Sequence, residues 1–376
     1  MKMSSITAIT MPKWGLTMTE GKVLGWLRKE GEDYRAGEEL LEIETSKITN
    51  VFEAGEAGRL RRIVAAAGAT LAIGGLLAVA APESVSDAEI DAFVAGFVAP
   101  EPAAEGAAEA EAAAPRDIDA GGKRLRVLDL GGGEATAVLL IHGFGADLNT
   151  WMFNLPALAE NRRAIALDLP GHGGSTKTVE RGDIAELAAS VEAAMAALGL
   201  ARAHLVGHSM GGAIVAALAA KRPELAASLT LIAAGGLGPD INMDFIDGFV
   251  RLTRRREAAD VLGLLLHDRD AVSRQMIEDV LRYKRLDGVP AALEKIAGAL
   301  FRGGRQAGGL PAIIQSLPVP AQIIWGRDDR IIPVAHAEAL VGRLPVHIID
   351  GAGHLPHMEK AGDVNRLIAG FLAEHP

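Results

Sequence analysis

The sequence predicts two folded parts of different class: a small all-β domain, then a larger α/β domain with a doubly wound, mainly parallel sheet. Three observations carry this. Residues 1 to 81 are short apolar runs separated by glycine turns, and they repeat internally. A tract of Ala, Glu and Pro from Ala99 to Pro115 cannot build a packed core and so divides the chain. From residue 123 to 376, aliphatic runs alternate with amphipathic helical patterns, the βαβ signature. A length of 376 residues fits two or three domains.

Composition narrows the function classes. A formal net charge of -10 disfavours nucleic acid or an anionic membrane as the main partner. The chain has no cysteine, which excludes disulfides, thiolate metal sites and cysteine nucleophiles and is compatible with a reducing cytoplasm. Met1-Lys2-Met3-Ser4-Ser5 leads into no apolar core of a signal peptide, so a cytoplasmic location is the expectation. Ile63 to Ala81 carries no charge and is just long enough to cross a bilayer. Its Ala and Gly are weakly apolar, however, and Gly68, Gly74 and Gly75 punctuate it like turns.

In the first part, strands are expected at Ile6 to Met11, Lys22 to Arg28, Glu39 to Glu44, Ile48 to Glu53, Leu60 to Val64 and Leu76 to Ala80. Gly31 and Gly37 match Gly68 and Gly74 at one offset, and Trp26-Leu27 falls on Ile63-Val64. Leu40-Leu41 matches Leu76-Leu77 with one residue dropped, so two similar halves are expected. Lys47 falls in the tight turn between the third and fourth runs. Residues 86 to 98 read as a short helix with Ser86 as N-cap and Glu89 completing a capping box. The boundaries are then 1–81 for the small domain, 82–122 for helix and linker, and 123–376 for the α/β domain. An extended linker of this composition could span roughly 50 Å.

In the second part, strands are expected at Arg124 to Leu130, Ala137 to Ile141, Ala164 to Asp168, His204 to Val206, Leu229 to Ala233, Gln322 to Trp325 and His347 to Ile349. Helices are expected at Ile184 to Leu198, Gly211 to Lys221, Ala335 to Val341 and Asp363 to Ala373. Residues 236–310 break the alternation with helical patterns between two core strands, where a cap over an active site would be inserted.

Gly207-His208-Ser209-Met210-Gly211 stands between a strand and a helix, the setting of a nucleophile elbow, in which Gly permits the close approach of strand and helix. On this motif residues 123–376 resemble the α/β-hydrolases. The resemblance implies Ser209 as nucleophile and His354, in Gly351-Ala352-Gly353-His354, as its base, in the order Ser, Asp, His. The acid is expected in Trp325-Gly326-Arg327-Asp328-Asp329-Arg330, with Asp329 preferred and Asp328 as the alternative. The N–H groups of Met210 and of Phe144, in His142-Gly143-Phe144-Gly145, are the expected oxyanion-hole donors. His142, His172 and His208, with the loop from Asp168 to Gly173, are expected to be structural. No metal is expected.

Residues 6 to 81 resemble a lipoyl domain. The resemblance rests on Gly21-Lys22-Val23, Trp26, Gly31-Glu32, Gly37-Glu38, Glu42-Ile43-Glu44-Thr45-Ser46-Lys47 and Gly58. It implies a flattened barrel or sandwich and lipoic acid in amide linkage to Lys47. Ser46 departs from the Asp common before that lysine. A biotin carrier would favour Met on both sides of its lysine, which Ser46 and Ile48 do not supply. The whole chain resembles the acetyltransferase component of acetoin-cleaving dehydrogenase complexes. That implies acetyl transfer from a lipoyl arm to coenzyme A, through a partner thiamine-diphosphate-dependent acetoin dehydrogenase, a dihydrolipoyl dehydrogenase and a lipoylating enzyme. Ordinary 2-oxo acid dehydrogenase transferases carry a His-x-x-x-Asp-Gly motif that this sequence lacks. Two other readings stand beside this one: a hydrolase or thioesterase fused to a carrier, and a carrier whose hydrolase-like domain is an idle scaffold.

Overall fold

The computed structural model describes residues 6–12, 18, 20–44, 49–97, 114–306 and 309–376. Lys47 and most of the linker fall outside these. The chain divides into two compact units, the first holding Met1–Glu111 with Ser273–Met276 and the second Ala112–Val272 and Ile277–Pro376.

The first unit has eight strands: β1 Thr7–Thr10, β2 Glu20–Trp26, β3 Asp33–Tyr34, β4 Glu39–Glu44, β5 Thr49–Glu53, β6 Gly58–Ile63, β7 Thr70–Ala72 and β8 Leu76–Ala80. They form two four-stranded sheets, β1-β8-β6-β3 and β5-β4-β2-β7, paired antiparallel throughout. The internal repeat is visible in the hydrogen bonds. Gly31 N–H donates to Leu60 O at 2.6 Å, and Gly68 N–H donates to Val23 O at 2.7 Å. Likewise Gly37 N–H reaches Ala54 O at 2.7 Å, and Gly74 N–H reaches Met11 O at 2.9 Å. These four glycines have φ of 88°, 91°, 81° and 79°, a region closed to most side chains, so the repeat is conserved in backbone shape as well as in sequence. Two short strands, β3 and β7, escape the sequence pattern because two or three residues carry no readable alternation. The core gathers Met11, Val23, Leu40, Leu41, Ile43, Leu60 and Leu77. The expected short helix forms at Asp87–Gly96, and both arms of the Ser86–Glu89 capping box are made.

The second unit is an eight-stranded sheet of order β16-β15-β14-β13-β11-β12-β10-β9. Its strands are β9 Arg116–Ala120, β10 Lys123–Leu130, β11 Val138–Ile141, β12 Ala164–Leu167, β13 Ala203–His208, β14 Ala226–Ile232, β15 Ala321–Gly326 and β16 Val346–Ile349. The pairs β9–β10 and β10–β12 are antiparallel, and all the others are parallel. β9 lies in what the sequence reading assigns to the linker. Its alternation is masked by charge, since Arg116, Asp117 and Asp119 are exposed while Ile118 and Ala120 are buried. As an edge strand it needs only one apolar face. The inner strands are buried on both faces and read as continuous aliphatic runs, as parallel strands do. The strand order reverses around β11 and β13, so the carboxyl ends of these two strands form the crevice in which ligands bind in such sheets.

Helices Ile184–Ala197, Met210–Lys221 and Ala361–Glu374 flank the sheet. Between β14 and β15 come helices Met243–Arg251, Arg255–Gly263, Arg274–Lys284 and Val289–Leu300, within the stretch 236–310 read as helical, and a further helix Leu310–Ser316 that runs past its end.

Candidate active site

Ser209 connects β13 to the helix Met210–Lys221 with φ 52° and ψ -117°. A left-handed φ at a residue with a side chain is strained, and such strain persists only where the surroundings enforce it. Here they do. Ser209 N–H donates to Ile232 O at 2.9 Å, and Ser209 O accepts from Gly235 N–H at 2.9 Å and Gly212 N–H at 3.0 Å. A Cβ on Gly207 would collide with the backbone of Gly211, and one on Gly211 would collide with Ile141 O. Glycine is therefore required on both sides of the turn, and this is the physical content of the Gly-x-Ser-x-Gly pattern. Ser209 is 9% exposed.

The base and acid come from two loops after β15 and β16. His354 Nδ1 donates to Asp329 Oδ2 at 2.8 Å, with both side chains essentially buried. Oδ1 of the same carboxylate accepts from the N–H groups of Ile331 at 2.8 Å and Ile332 at 2.9 Å. Asp329 is thus a fully hydrogen-bonded buried anion, and it fixes the proton of His354 on Nδ1. The Nε2 lone pair is left free to accept a proton. Asp328 points elsewhere: its half-exposed carboxylate pairs with His267 Nδ1 at 2.8 Å. Of the two adjacent aspartates, the geometry joins Asp329 to His354.

The N–H of Met210, the first residue of its helix, has no acceptor within the helix. The turn carrying Phe144 follows β11 at the switch point. A Cβ on Gly143 would lie 3.1 Å from Ser209 Cβ, so this turn passes directly beside the serine. Among the described residues, neither the Phe144 nor the Met210 N–H makes a hydrogen bond.

The remaining histidines are packed into the frame. His142 Nδ1 donates to Gly143 O at 2.7 Å, and its Nε2 accepts from Leu169 N–H at 3.0 Å. Burial lowers its pKa to about 4, so it stays neutral. His172 is also buried and donates from Nδ1 to Pro170 O at 3.1 Å. Asp168 accepts from Leu148 N–H at 2.7 Å and Gly174 N–H at 2.6 Å, tying two loops together. His208 Nε2 donates to the His354 carbonyl at 2.8 Å.

Sequence reading missed the groups that hold and cover this site. His354 N–H donates to Leu265 O of the helical insertion at 2.8 Å. Glu359 accepts from Gly353 N–H at 2.7 Å and from His267 N–H at 2.6 Å, stitching the histidine loop to the insertion. Burial raises the Glu359 pKa. Phe249 of the insertion meets Phe144 edge to face at 6.0 Å, and Phe301 meets it at 5.9 Å. A Cβ on Gly145 would collide with the Phe249 ring, so that glycine is what lets the cap close on the turn. None of these has a sequence motif; they are contacts between distant segments.

Lys47 lies outside the described residues. The flanking ladder fits the expected carrier site, since Glu44 and Thr49 are the terminal pair of the antiparallel strands β4 and β5. Among the described residues, no group of His, Asp and Glu could hold a metal ion, and no helix is long and apolar enough to cross a membrane.

Residues 136–361 match the alpha/beta hydrolase fold family, and residues 7–79 match the family of biotin-requiring enzymes, which takes in lipoyl domains. The chain is 46% identical over 373 residues to the dihydrolipoyllysine-residue acetyltransferase component of the acetoin cleaving system of Pseudomonas putida, covering 99% of this chain and 100% of that one. It is 45% identical over 368 residues to the protein of the same description in Cupriavidus necator, covering 98% of both. A meta-cleavage product hydrolase from Pseudomonas fluorescens IP01 shares the fold with a TM-score of 0.63 at 24% identity, over 69% of this chain and 98% of that one.

Proposed function

Because the chain belongs to the family of dihydrolipoyllysine-residue acetyltransferase components of acetoin-cleaving systems, we propose that it transfers acetyl groups through an acetyl-Ser209 intermediate to coenzyme A. The observation that carries the serine route is the buried Asp329–His354 pair together with a serine held at φ 52° at the strand-to-helix turn.

Lipoic acid in amide linkage to Lys47 supplies, when attached, the thiol on which the acetyl group arrives as a thioester. The remaining chemistry falls to this chain's side chains. His354 Nε2 takes the Ser209 hydroxyl proton as Oγ attacks the thioester carbonyl. The N–H groups of Phe144 and Met210 receive the oxyanion. As the C–S bond breaks, His354 returns the proton to the departing sulfur, leaving acetyl-Ser209. The second half runs in reverse. His354 removes the thiol proton of coenzyme A, sulfur attacks the acetyl-serine carbonyl, and the proton goes back to Ser209 Oγ. Atoms and charge balance without an outside oxidant. Asp329 steadies the transient imidazolium in both halves. Acetyl loading and reoxidation of the arm are assigned to a thiamine-diphosphate-dependent acetoin dehydrogenase and a dihydrolipoyl dehydrogenase, in the cytoplasm. Residues 1–81 act as the carrier, 82–122 as its tether and 123–376 as the transferase, with β9 extending the last of these toward Arg116.

The test uses the purified chain with S-acetyl-dihydrolipoamide and coenzyme A, and quantifies acetyl-CoA and acetate together. Acetyl-CoA above the thiol-exchange blank, lost in Ser209→Ala, is the expected result. Acetate in its place identifies a hydrolase. Unchanged turnover in Ser209→Ala identifies an idle scaffold.

A further inference from the structure

The helical insertion contains a cavity of about 440 Å³ lined by Thr253, Arg255, Glu278, Leu281, Arg282 and Arg285. Its size is that of a small-molecule site. Three guanidiniums face one carboxylate there, in a chain whose net charge is -10. Leu281 is buried and forms an apolar floor, while the three arginines are exposed. Arg255 is engaged with Glu278, and Arg282 lies 3.4 Å from Asp279 on its own helix. Among the described residues, Arg285 has no ion-pair or hydrogen-bond partner for its guanidinium.

We propose that this cavity binds the phosphorylated nucleotide end of coenzyme A, a 3′-phosphoadenosine diphosphate; this rests on coenzyme A being the acyl acceptor. Guanidinium groups bind phosphate oxygens in pairs, and an apolar floor suits an adenine face. The position is right for the reach of the cofactor. Lys284, between Arg282 and Arg285, donates from Nζ to Phe249 O at 2.7 Å and Val250 O at 2.6 Å. The arginine-bearing helix is thereby latched to the helix whose Phe249 covers the oxyanion turn at Phe144. Thr253 is four residues beyond Phe249, so their separation is at most about 15 Å. A pantetheine arm with its phosphate is as long as an extended five-residue peptide, roughly 17 Å. The arm is thus longer than the stretch from Thr253 to Phe249, the residue whose ring lies against Phe144. Glu278 pairs with Arg255, so a phosphate that takes up this guanidinium must displace the carboxylate.

Two measurements on the full-length protein test this. Calorimetric titration with adenosine 3′,5′-bisphosphate reads the cavity without catalysis. Binding that weakens at least tenfold in the double variant Arg282→Ala/Arg285→Ala, and partly recovers with Arg285→Lys, is expected. Equal binding by wild type and double variant, or none by either, overturns the proposal. The second measurement is the ratio of kcat/KM for coenzyme A to kcat/KM for pantetheine, which lacks the nucleotide. The double variant should lower that ratio about tenfold by raising the coenzyme A KM. A parallel fall with both acceptors overturns the proposal in favour of a structural role. A rise only in KM for the acetylated carrier overturns it in favour of docking the carrier domain. If the wild type releases acetate alone, the transfer reading is lost, and the bisphosphate titration still decides the cavity.

Discussion

His208 stands directly behind His354: its Nε2 donates to the His354 carbonyl at 2.8 Å, and the two rings lie 4.8 Å apart. The carbonyl can only accept, so His208 must carry its proton on Nε2. Burial, reinforced by His357 and His354, holds its pKa well below the ordinary value and keeps it neutral. His208 is thus a positioning residue. Replacing it with Ala frees the loop that aims His354, and displacements of this order cost about a hundredfold in rate. His208→Ala should lower kcat by about that factor with little change in KM, and His208→Gln, which keeps a donor, should recover part of it. Steady-state kinetics at saturating acceptor decides this. Equal losses in kcat and in thermal midpoint for both variants would mean a packing role only.

The strained backbone at Ser209 makes a stability prediction of opposite sign to the activity prediction. At φ 52° and ψ -117° the backbone is the mirror image of an allowed extended conformation, which glycine adopts freely and alanine does not. Ser209→Gly and Ser209→Ala should both lose acetyl transfer. Ser209→Gly should be more stable than Ser209→Ala by about 1–3 kcal/mol. Urea unfolding of the two variants checks this, and equal midpoints would contradict it.

Two adjacent aspartates should behave very differently. Asp329→Asn keeps the shape but can offer an amide N–H to His354, which favours the wrong tautomer, and a loss of about 10⁴ in kcat is expected. Asp328 pairs with exposed His267, a surface contact worth at most about 1 kcal/mol, so Asp328→Asn should stay within a few-fold of wild type. Comparable losses in the two variants would remove the triad assignment.

Much of this site was legible in the sequence because the requirements are local. The Gly-x-Ser-x-Gly turn encodes its own sterics, as the collisions at Gly207 and Gly211 demonstrate. Chain order placed Asp329 and His354 on consecutive loops, though only the three-dimensional contacts, the hydrogen bond to His354 and those from the N–H groups of Ile331 and Ile332, distinguish Asp329 from its neighbour. The repeat around Gly31 and Gly68 was readable because two positive-φ turns need two glycines. Edge strand β9 was hidden by its exposed charges. The tie from Leu265 to His354 joins residues far apart in the chain through a backbone carbonyl, which leaves no mark on residue identity.

Glu186 supplies a pH-dependent element away from the site. Burial alone would raise its pKa. The N–H groups of Glu180, Gly182 and Arg181 and the Lys123 ammonium outweigh this and hold it at about 2. A carboxylate with a depressed folded pKa contributes stability that is present above its unfolded value. That contribution is lost as pH falls through the folded value. The window is therefore from about pH 5 down to about pH 2. Glu186→Gln should cost about 2–3 kcal/mol at pH 7, and the difference from wild type should shrink across that window. Unfolding curves at neutral and acidic pH check the sign; a gap that widens with acid would refute it.

On the proposed route, the choice between a thiol and water as acyl acceptor would fall to the helical insertion. On the proposed route, an acetyl-Ser209 is open to hydrolysis wherever water reaches its carbonyl. Phe249 is 2% exposed, lies against Phe144 at 6.0 Å and fills the space that any side chain at position 145 would need. Phe301 packs edge to face against the same ring at 5.9 Å. Together they put apolar surface against the turn that carries Phe144, and on the proposed route that surface would keep water from the acyl-enzyme. Phe249→Ala removes that cover without touching Ser209, His354 or Asp329. Its expected effect is on partition. The ratio of acetate to acetyl-CoA should rise about tenfold, while total thioester consumption falls much less, apart from a core-truncation cost of about 3–5 kcal/mol in stability. Phe249→Leu keeps apolar volume, so it should restore the ratio even if stability is not fully recovered. A ratio unmoved in Phe249→Ala would show that the cap does not select the acceptor, leaving discrimination to how coenzyme A itself is held.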